Sequence, residues 1–378
     1  MTALPPLALY IHLPWCSKKC PYCDYNAHSI TGDIPEDAYF TQLQRDLAEE
    51  LSSVQQRPIS SVFFGGGTPS IMSAGFYRRL MQHLKAHLTF VPNVEITMEA
   101  NPGASEQEKF EGFAAAGINR LSIGVQSFHN HQLSVLGRQH DSHMAKQAIY
   151  AARQAGFTNF NIDLMHALPQ QTAAEAMADL EQAIELEPSH ISWYELTIEP
   201  NTVFFSFPPR QPDLDHWADV EEEGFSFLAD HGYPRYEISA FASAANENQH
   251  NLNYWQFADY IGIGAGAHGK VTQPSGAILR YQKTRHPKHY LLNGGHTRRN
   301  LTTLTAEALP IEFMLNALRL INGVPSAYFS QRTGLPLSTI TTPWQQLQQQ
   351  GLMVAGGKRL ACTAQGLRFL NHVLGAFH

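Results

Sequence analysis

The chain has 378 residues, 43% hydrophobic and 16% charged, which describes a soluble globular protein long enough for two domains or for one large domain with an appendage. A net charge of −7 argues against nucleic-acid binding by phosphate neutralisation, and the start Met1-Thr-Ala-Leu-Pro-Pro has neither the basic nor the apolar region of a secretion signal. With four cysteines and no uncharged apolar run of about 18 residues, the expected setting is a reducing cytoplasm without a membrane span.

The first element in chain order is an apolar strand from Leu7 to Leu13. It runs into Trp15-Cys16-Ser-Lys-Lys-Cys20-Pro-Tyr22-Cys23-Asp-Tyr25, which holds three of the four cysteines within eight positions. An odd number of thiols cannot pair off, and the local loops are too short for disulfides, so the spacing predicts a metal or a cluster. A structural zinc site closes with four protein ligands, and Cys362 is far away in sequence. Three cysteines on a cubane iron–sulfur cluster leave one iron open to an outside ligand, and the ligand count favours that occupant.

Pro35 to Val54 reads as a helix, with Tyr39, Leu43, Leu47 and Leu51 at four-residue spacing. A short apolar strand, Ile59 to Phe64, then ends in Gly65-Gly66-Gly67-Thr68-Pro69-Ser70. Helix Phe76 to Leu88 and strand Val94 to Met98 follow, then helix Ser105 to Ala116, opened by a Ser105 cap three residues before Glu108. The alternation continues through strand Asn119 to Val125, helix His143 to Ala155, strand Asn159 to Leu164, helix Ala173 to Glu187 and strand His190 to Leu196. Repeated βα units mean a parallel sheet. Cys16, Gly65 to Thr68, Glu99, Gln126 and Asp163 fall at or just past the carboxyl ends of successive strands. A curled barrel brings those ends to one face, whereas an open doubly wound sheet scatters them. The expected fold is therefore α/β, a partial (β/α)6 TIM-like barrel over residues 1–240.

Pro200, Pro208, Pro209 and Pro212 mark a crossing segment, and Leu214 to His231 reads as a helix. Residues 241–300 read as a barrel extension that carries His250-Asn-Leu-Asn-Tyr254-Trp255 and the glycine-rich stretch Tyr260 to Gly269. A boundary near Asn300 opens a module over 301–378. It comprises helix Ala306 to Ile321, a helical turn Pro325 to Arg332, helix Pro343 to Gly351, a Leu352 to Ala361 hairpin turning on Gly356-Gly357, and a closing helix from Thr363. Short helices and a hairpin resemble a winged helix. The helix that would enter a groove carries Gln345, Gln346, Gln348, Gln349 and Gln350 but no Arg or Lys, which favours a lid or partner surface over nucleic acid.

The triple glycine lacks both dinucleotide-fingerprint and P-loop spacing. Glycines after a strand let the backbone approach a ligand, and one βα unit past the cysteines they suit the amino-acid end of a cofactor. Glu99, Gln126, Arg138 and Asp163 read together as ligand contacts, since polar groups ending apolar strands must find partners.

These motifs resemble the radical S-adenosylmethionine (SAM) enzymes. The resemblance rests on Tyr10, Cys16-x3-Cys20-x2-Cys23, Gly-Gly-Gly-Thr68-Pro-Ser, Met98-Glu99-Ala-Asn-Pro, Ser122-Ile-Gly-Val-Gln126-Ser-Phe, Leu136-Gly-Arg138 and Asn161-Ile-Asp163-Leu-Met. More narrowly, the chain is similar to the HemN-like branch, which holds oxygen-independent coproporphyrinogen dehydrogenases and heme chaperones. The resemblance implies a [4Fe–4S] cluster on Cys16, Cys20 and Cys23. It also implies a SAM site lined by Tyr10, the Tyr22 backbone, Gly66, Gly67, Thr68, Glu99, Gln126, Arg138 and Asp163. The dehydrogenases carry a fourth cysteine where this chain has Tyr25, and a longer N-terminal extension than the nine residues before Tyr10. The chaperone side of the branch is the closer resemblance, through its His-Asn-x-x-Tyr-Trp signature.

That resemblance implies heme as cargo, apo heme proteins such as respiratory-chain subunits as recipients, a donor such as a ferritin-like protein, and peripheral membrane contact. Imidazole is a common axial ligand of heme iron, and Tyr254 and Trp255 offer flat faces, so His250, Tyr254 and Trp255 are the expected heme contacts. His268 is a SAM-side or structural residue. A porphyrinogen-oxidising radical SAM enzyme and a structural zinc protein stay open as alternatives, as does whether SAM is cleaved in turnover.

Overall fold

A computed structural model describes residues 4–103, 109–292 and 297–378, with the side chains of 214–216 left aside. Its main sheet has twelve strands, labelled here in chain order. They are β1 (Leu7–Leu13), β2 (Ile59–Gly66), β3 (Phe90–Ala100), β4 (Arg120–Gln126), β5 (Phe160–His166), β6 (His190–Glu195), β7 (Arg235–Glu237), β8 (Ala240–Ala242), β9 (Asp259–Ile263), β10 (His268–Thr272), β11 (Ile278–Lys283) and β12 (Arg298–Thr303). Across the sheet they run β12-β11-β10-β9-β1-β2-β3-β4-β5-β6-β8-β7. The six expected strands β1 to β6 are parallel neighbours, and the sheet does not close, which makes a partial barrel.

Alternation along the strands explains what each face does. In β4, Leu121, Ile123 and Val125 join the apolar core, whereas Arg120, Ser122, Gly124 and Gln126 line a central cavity. In β5 and β6 the same period puts Ile162, Leu164, Ile191 and Trp193 in the core and Asn161, Asp163, His190, Ser192 and Tyr194 in the cavity. The barrel interior is therefore polar, unlike the branched apolar filling of a full (β/α)8 barrel. Helices α1 (Glu36–Val54), α2 (Ala74–His87), α3 (Phe110–Ala116), α4 (Ser142–Gln154) and α5 (Ala173–Glu185) cover the other face. In α1 the expected stripe holds, with Tyr39, Leu43 and Leu47 buried. The anticipated Ser105 cap and Glu108 lie outside the described residues.

Two details of the barrel depart from the sequence reading. Strand β9 pairs in parallel with β1, Leu7 opposite Asp259 and Ile11 opposite Ile263, so the parallel array has a seventh strand drawn from the expected extension. At its Gly262 a side chain would clash, since an added Cβ falls 2.0 Å from the His268 carbonyl oxygen. Asp163 sits in the middle of β5 instead of at its carboxyl end.

The C-terminal hairpin differs too. Met353 and Cys362 form one bridge, and Leu360 pairs instead with Val324. The helix expected from Pro343 begins at Ser338 and keeps Pro343 inside it. Phe313, Phe329, Trp344, Leu347, Leu360 and Val373 build a second apolar core that also takes Phe257 and Ile278. No helix among the described residues is long and apolar enough to cross a membrane.

Candidate functional site

Strand β1 delivers the cysteine loop. Trp15–Cys16 pairs in parallel with His28–Ser29, and Cys23 N–H donates to the Cys20 carbonyl at 3.1 Å, which folds the three thiols into one tight loop. The glycines after β2 clamp it from beside. Gly67 N–H donates to the Leu13 carbonyl at 2.8 Å and Thr68 N–H to that of Trp15 at 2.7 Å. A Cβ on Gly67 would lie 2.3 Å from the Trp15 oxygen, so only glycine permits this approach. From the other side, Asn26 donates to the carbonyls of Ala265 (2.9 Å) and Arg285 (2.8 Å). The glycine-rich stretch is thus a buttress for the loop, and His268 is exposed beside it.

Cys16, Cys20 and Cys23 are free and line one cavity of about 560 Å³, whereas Cys362 is buried in the C-terminal core. Burial, followed by the neighbouring thiols Cys23 and Cys20, pushes the Cys16 thiol up to about 11, and burial raises Cys23 as well. Thiols so placed ionise when a cationic centre binds them, and a set of three without a fourth suits a cluster with one open iron.

Around the loop the cavity gathers Tyr10, Tyr22, Gly66, Gly67, Thr68, Glu99, Gln126, Arg138 and Asp163. Glu99 accepts from the Gly66 N–H at 3.1 Å. Burial, then the charge of Asp163, pushes the Glu99 carboxyl up to about 8, and burial raises Asp163 too. Two half-buried carboxyls, neither ion-paired among the described residues, fit a ligand that brings ammonium, sulfonium or hydroxyl groups. Arg138 donates from Nη2 to Asn101 Oδ1 (2.9 Å) and to the Gly124 carbonyl (2.6 Å), with Nη1 3.8 Å from Cys20 Sγ. Gln126 holds a left-handed φ of 72° where the pairing of β4 with β5 slips, and its Oε1 accepts from Tyr194 OH at 2.8 Å. Tyr25 stands at the cavity mouth, 67% exposed.

A hydrogen-bond chain descends from this chamber to the amino ends of the strands. Asn161 Nδ2 donates to Asp163 Oδ1 and to Ser122 Oγ, both at 2.7 Å, which leaves Asn161 Oδ1 as an acceptor. His190 Nδ1 therefore donates to it at 2.6 Å, and His190 Nε2 accepts from Tyr236 OH at 2.9 Å. Tyr236 in turn accepts from the Asn248 N–H at 3.2 Å. Burial, then the Arg120 charge, holds His190 well below its usual range and keeps it neutral.

Asn248 caps the helix Gln249–Trp255, numbered α7 after α6 (Leu214–Asp230), through a bond from Asn251 N–H. This helix places His250, Tyr254 and Trp255 on the same cavity. Both His250 nitrogens are engaged, Nδ1 with Ser61 Oγ and Nε2 with Tyr254 OH, each at 2.9 Å. Burial lowers the ring to about 3, so it is neutral, and it meets a metal only after one of those bonds breaks. The ring stacks on Phe63 with centroids 5.1 Å apart.

The structure therefore brings every candidate residue except His268 into one cavity. Sequence reasoning passed over Arg120, Asn161, His190, Ser192, Tyr194 and Arg319, which also line it. Except for Arg319, which follows the helix Leu309–Ala317, their signal was a polar residue at every second position of otherwise apolar strands.

A radical SAM superfamily profile matches residues 10–183, and a HemN C-terminal domain profile matches 304–369. The heme chaperone HemW of Haemophilus influenzae is 47% identical over 382 residues, covering 100% of this chain and 99% of its own. That of Escherichia coli is 46% identical over 377 residues, again covering 100% and 99%. HemW of Bacillus subtilis is 33% identical, covering 97% and 98%. Among solved structures, coproporphyrinogen III oxidase (HemN) from Escherichia coli aligns with a TM-score of 0.83 over 99% of this chain and 90% of its own, at 23% identity, a likeness of fold.

Proposed function

Because the chain belongs to the heme chaperone HemW family within the radical SAM superfamily, we propose that it binds heme and passes it to apo heme proteins. Cys16, Cys20 and Cys23 hold the [4Fe–4S] cluster of the superfamily, and Tyr10, the Tyr22 backbone, Gly66, Gly67, Thr68, Glu99, Gln126, Arg138 and Asp163 hold SAM. When bound, this pair supplies a reducible sulfonium. Around it, Glu99 and Asp163 offer carboxyl oxygens to the cationic ligand, Arg138 reaches both the Cys20 sulfur and the strand carbonyl, and the close approach of Gly67 holds the cysteine loop in place. His250, Tyr254 and Trp255 contact the heme, with Tyr254 and Trp255 as flat apolar faces.

The observation that supports this reading is continuity. One cavity extends from the three thiols to the His-Asn-x-x-Tyr-Trp helix, and Tyr25 stands at its mouth where a porphyrinogen-oxidising relative would carry a fourth cysteine. The recipients are respiratory-chain subunits, reached in the cytoplasm through peripheral contact with the membrane, and the donor is a ferritin-like protein.

The test is transfer. Anaerobically reconstituted protein loaded with hemin is mixed with an apo b-type heme protein, and the Soret band is followed as it moves to the acceptor's position. A parallel incubation supplies coproporphyrinogen III, SAM and a reductant. Transfer without protoporphyrinogen is the expected result; protoporphyrinogen formation with no transfer would overturn the reading.

A further inference from the structure

The amino end of the barrel holds donors that have no acceptor. Arg120 is 0% exposed, lines the cavity, and none of its three guanidinium nitrogens has a hydrogen-bond partner. Glu95 is its nearest anion, with Oε2 3.9 Å from Nε. The other oxygen of Glu95 already accepts from the N–H groups of Gln249 (3.0 Å) and His250 (3.3 Å) at the start of α7. Two more buried donors on the same cavity are unpartnered, Trp255 Nε1 and Arg319 Nε. Arg319 spends Nη2 on Glu237 Oε2 at 3.3 Å and lies over the Trp255 ring at 4.3 Å.

The acceptors nearby are in use. Glu237 Oε1 takes the Ser239 N–H (3.0 Å) and hydroxyl (2.8 Å), Asn161 Oδ1 takes His190 and Ser192, and both His250 nitrogens are occupied. Among the described cavity-lining side chains, every buried polar atom without a partner is a donor nitrogen. A buried guanidinium in that state is costly unless something from outside brings oxygens. Glu95 and Glu237 match Arg120 and Arg319 in number, so hydrogen bonding, more than net field, selects the ligand. A carboxylate fits best, because its two oxygens match the planar fork of an arginine.

We propose that Arg120, together with Trp255 and Arg319, forms a carboxylate-binding floor in the cavity, and that this floor takes a propionate group of the heme. The assignment rests on the heme-carrying reading above. It gives Arg120 a recognition role at the end of the cavity opposite Cys20, whose sulfur is approached by a different guanidinium, that of Arg138. Esterified porphyrins, with the same ring and iron but capped propionates, would lose this anchor.

The experiment compares hemin with hemin dimethyl ester in equilibrium titrations of wild type, Arg120→Gln and Arg120→Lys, with and without saturating SAM. Wild type should bind hemin roughly tenfold or more tighter than the diester, as expected for a buried charge-assisted pair. Arg120→Gln should bind both at the diester's affinity, Arg120→Lys should keep part of the preference, and SAM should leave the preference intact. Equal binding of hemin and diester by wild type overturns the floor while leaving heme carriage standing. A preference that survives in Arg120→Gln, or vanishes when SAM is added, overturns it too. Failure of wild type to bind hemin at all removes the heme reading, and this assignment with it. Should Arg120→Gln not fold, the wild-type comparison and Arg319→Gln decide in its place.

Discussion

At Glu99, burial and the charge of Asp163 outweigh the single N–H of Gly66, and the carboxyl titrates near 8 instead of 4.5. The folded protein therefore holds this proton to a higher pH than the unfolded chain, and stability is lost as pH rises through that window. Ligand-free protein should show a melting temperature that falls more steeply between about pH 6 and 8.5 in wild type than in Glu99→Gln, and SAM should flatten the wild-type fall. Parallel falls in the two proteins would clear Glu99 of the effect. The cysteines were legible because their spacing is local. The engagement of His250 was not, since its partner Ser61 stands 189 positions away and only the fold brings the two together. Arg120 was hidden for a related reason, as a cation that opens an apolar strand reads as surface until the strand's neighbours bury it.

The turn after β2 tests how much the element itself, as distinct from its side chains, builds the site. A Cβ at Gly67 meets the Trp15 carbonyl oxygen at 2.3 Å and its carbon at 2.6 Å, both backbone atoms that cannot rotate away. Gly67→Ala should pry the turn from the cysteine loop, weaken the Gly67–Leu13 and Thr68–Trp15 bonds, and cost about 1–3 kcal/mol. Gly357→Ala, with nothing within 4 Å, is the control. Iron content after anaerobic reconstitution, read beside thermal unfolding, should drop for the first and hold for the second; equal iron in both would mean the turn is not part of the cluster's support. The βα alternation was legible because each strand and helix carries its own period. β9 escaped because glycines depress strand propensity, and its reason for being a strand lies in β1, about 250 positions earlier.

Across the whole molecule, a buried ion network ties the late strands to the first helix. Lys283 of β11 is 0% exposed, with Nζ 2.5 Å from Asp46 and 2.6 Å from Glu50, both on α1. Arg298 of β12 adds two bonds to Glu50 at 2.7 and 2.6 Å. Burial works against Glu50, yet Arg298 and Lys283 hold it below its usual range; at Asp46 burial prevails and raises the carboxyl. Lys283→Met would leave Asp46 without its cation and should cost about 3–5 kcal/mol in urea unfolding. A loss under 1 kcal/mol would show that Thr297, Tyr290 and the Gly264 N–H satisfy Asp46 unaided. No local pattern announces such a network, because a lone Lys and a Glu-Glu pair look like solvated surface. Only the overall α/β alternation, the cysteine spacing and the strand-end residues carried the molecule's plan in readable form.

The chain of bonds from Asp163 to Asn248 has a fixed polarity. Asn248 offers a backbone N–H that can only give, and at the other end Asp163 Oδ1 receives the Asn161 amide, so Tyr236, His190 and Asn161 between them have one consistent orientation of hydroxyl, tautomer and amide. A ligand that draws the Asp163 carboxyl away from Asn161 takes the last acceptor from the row. The position of one carboxyl beside the cysteine chamber and the seating of the helix that carries His250 are thereby joined through one row of bonds.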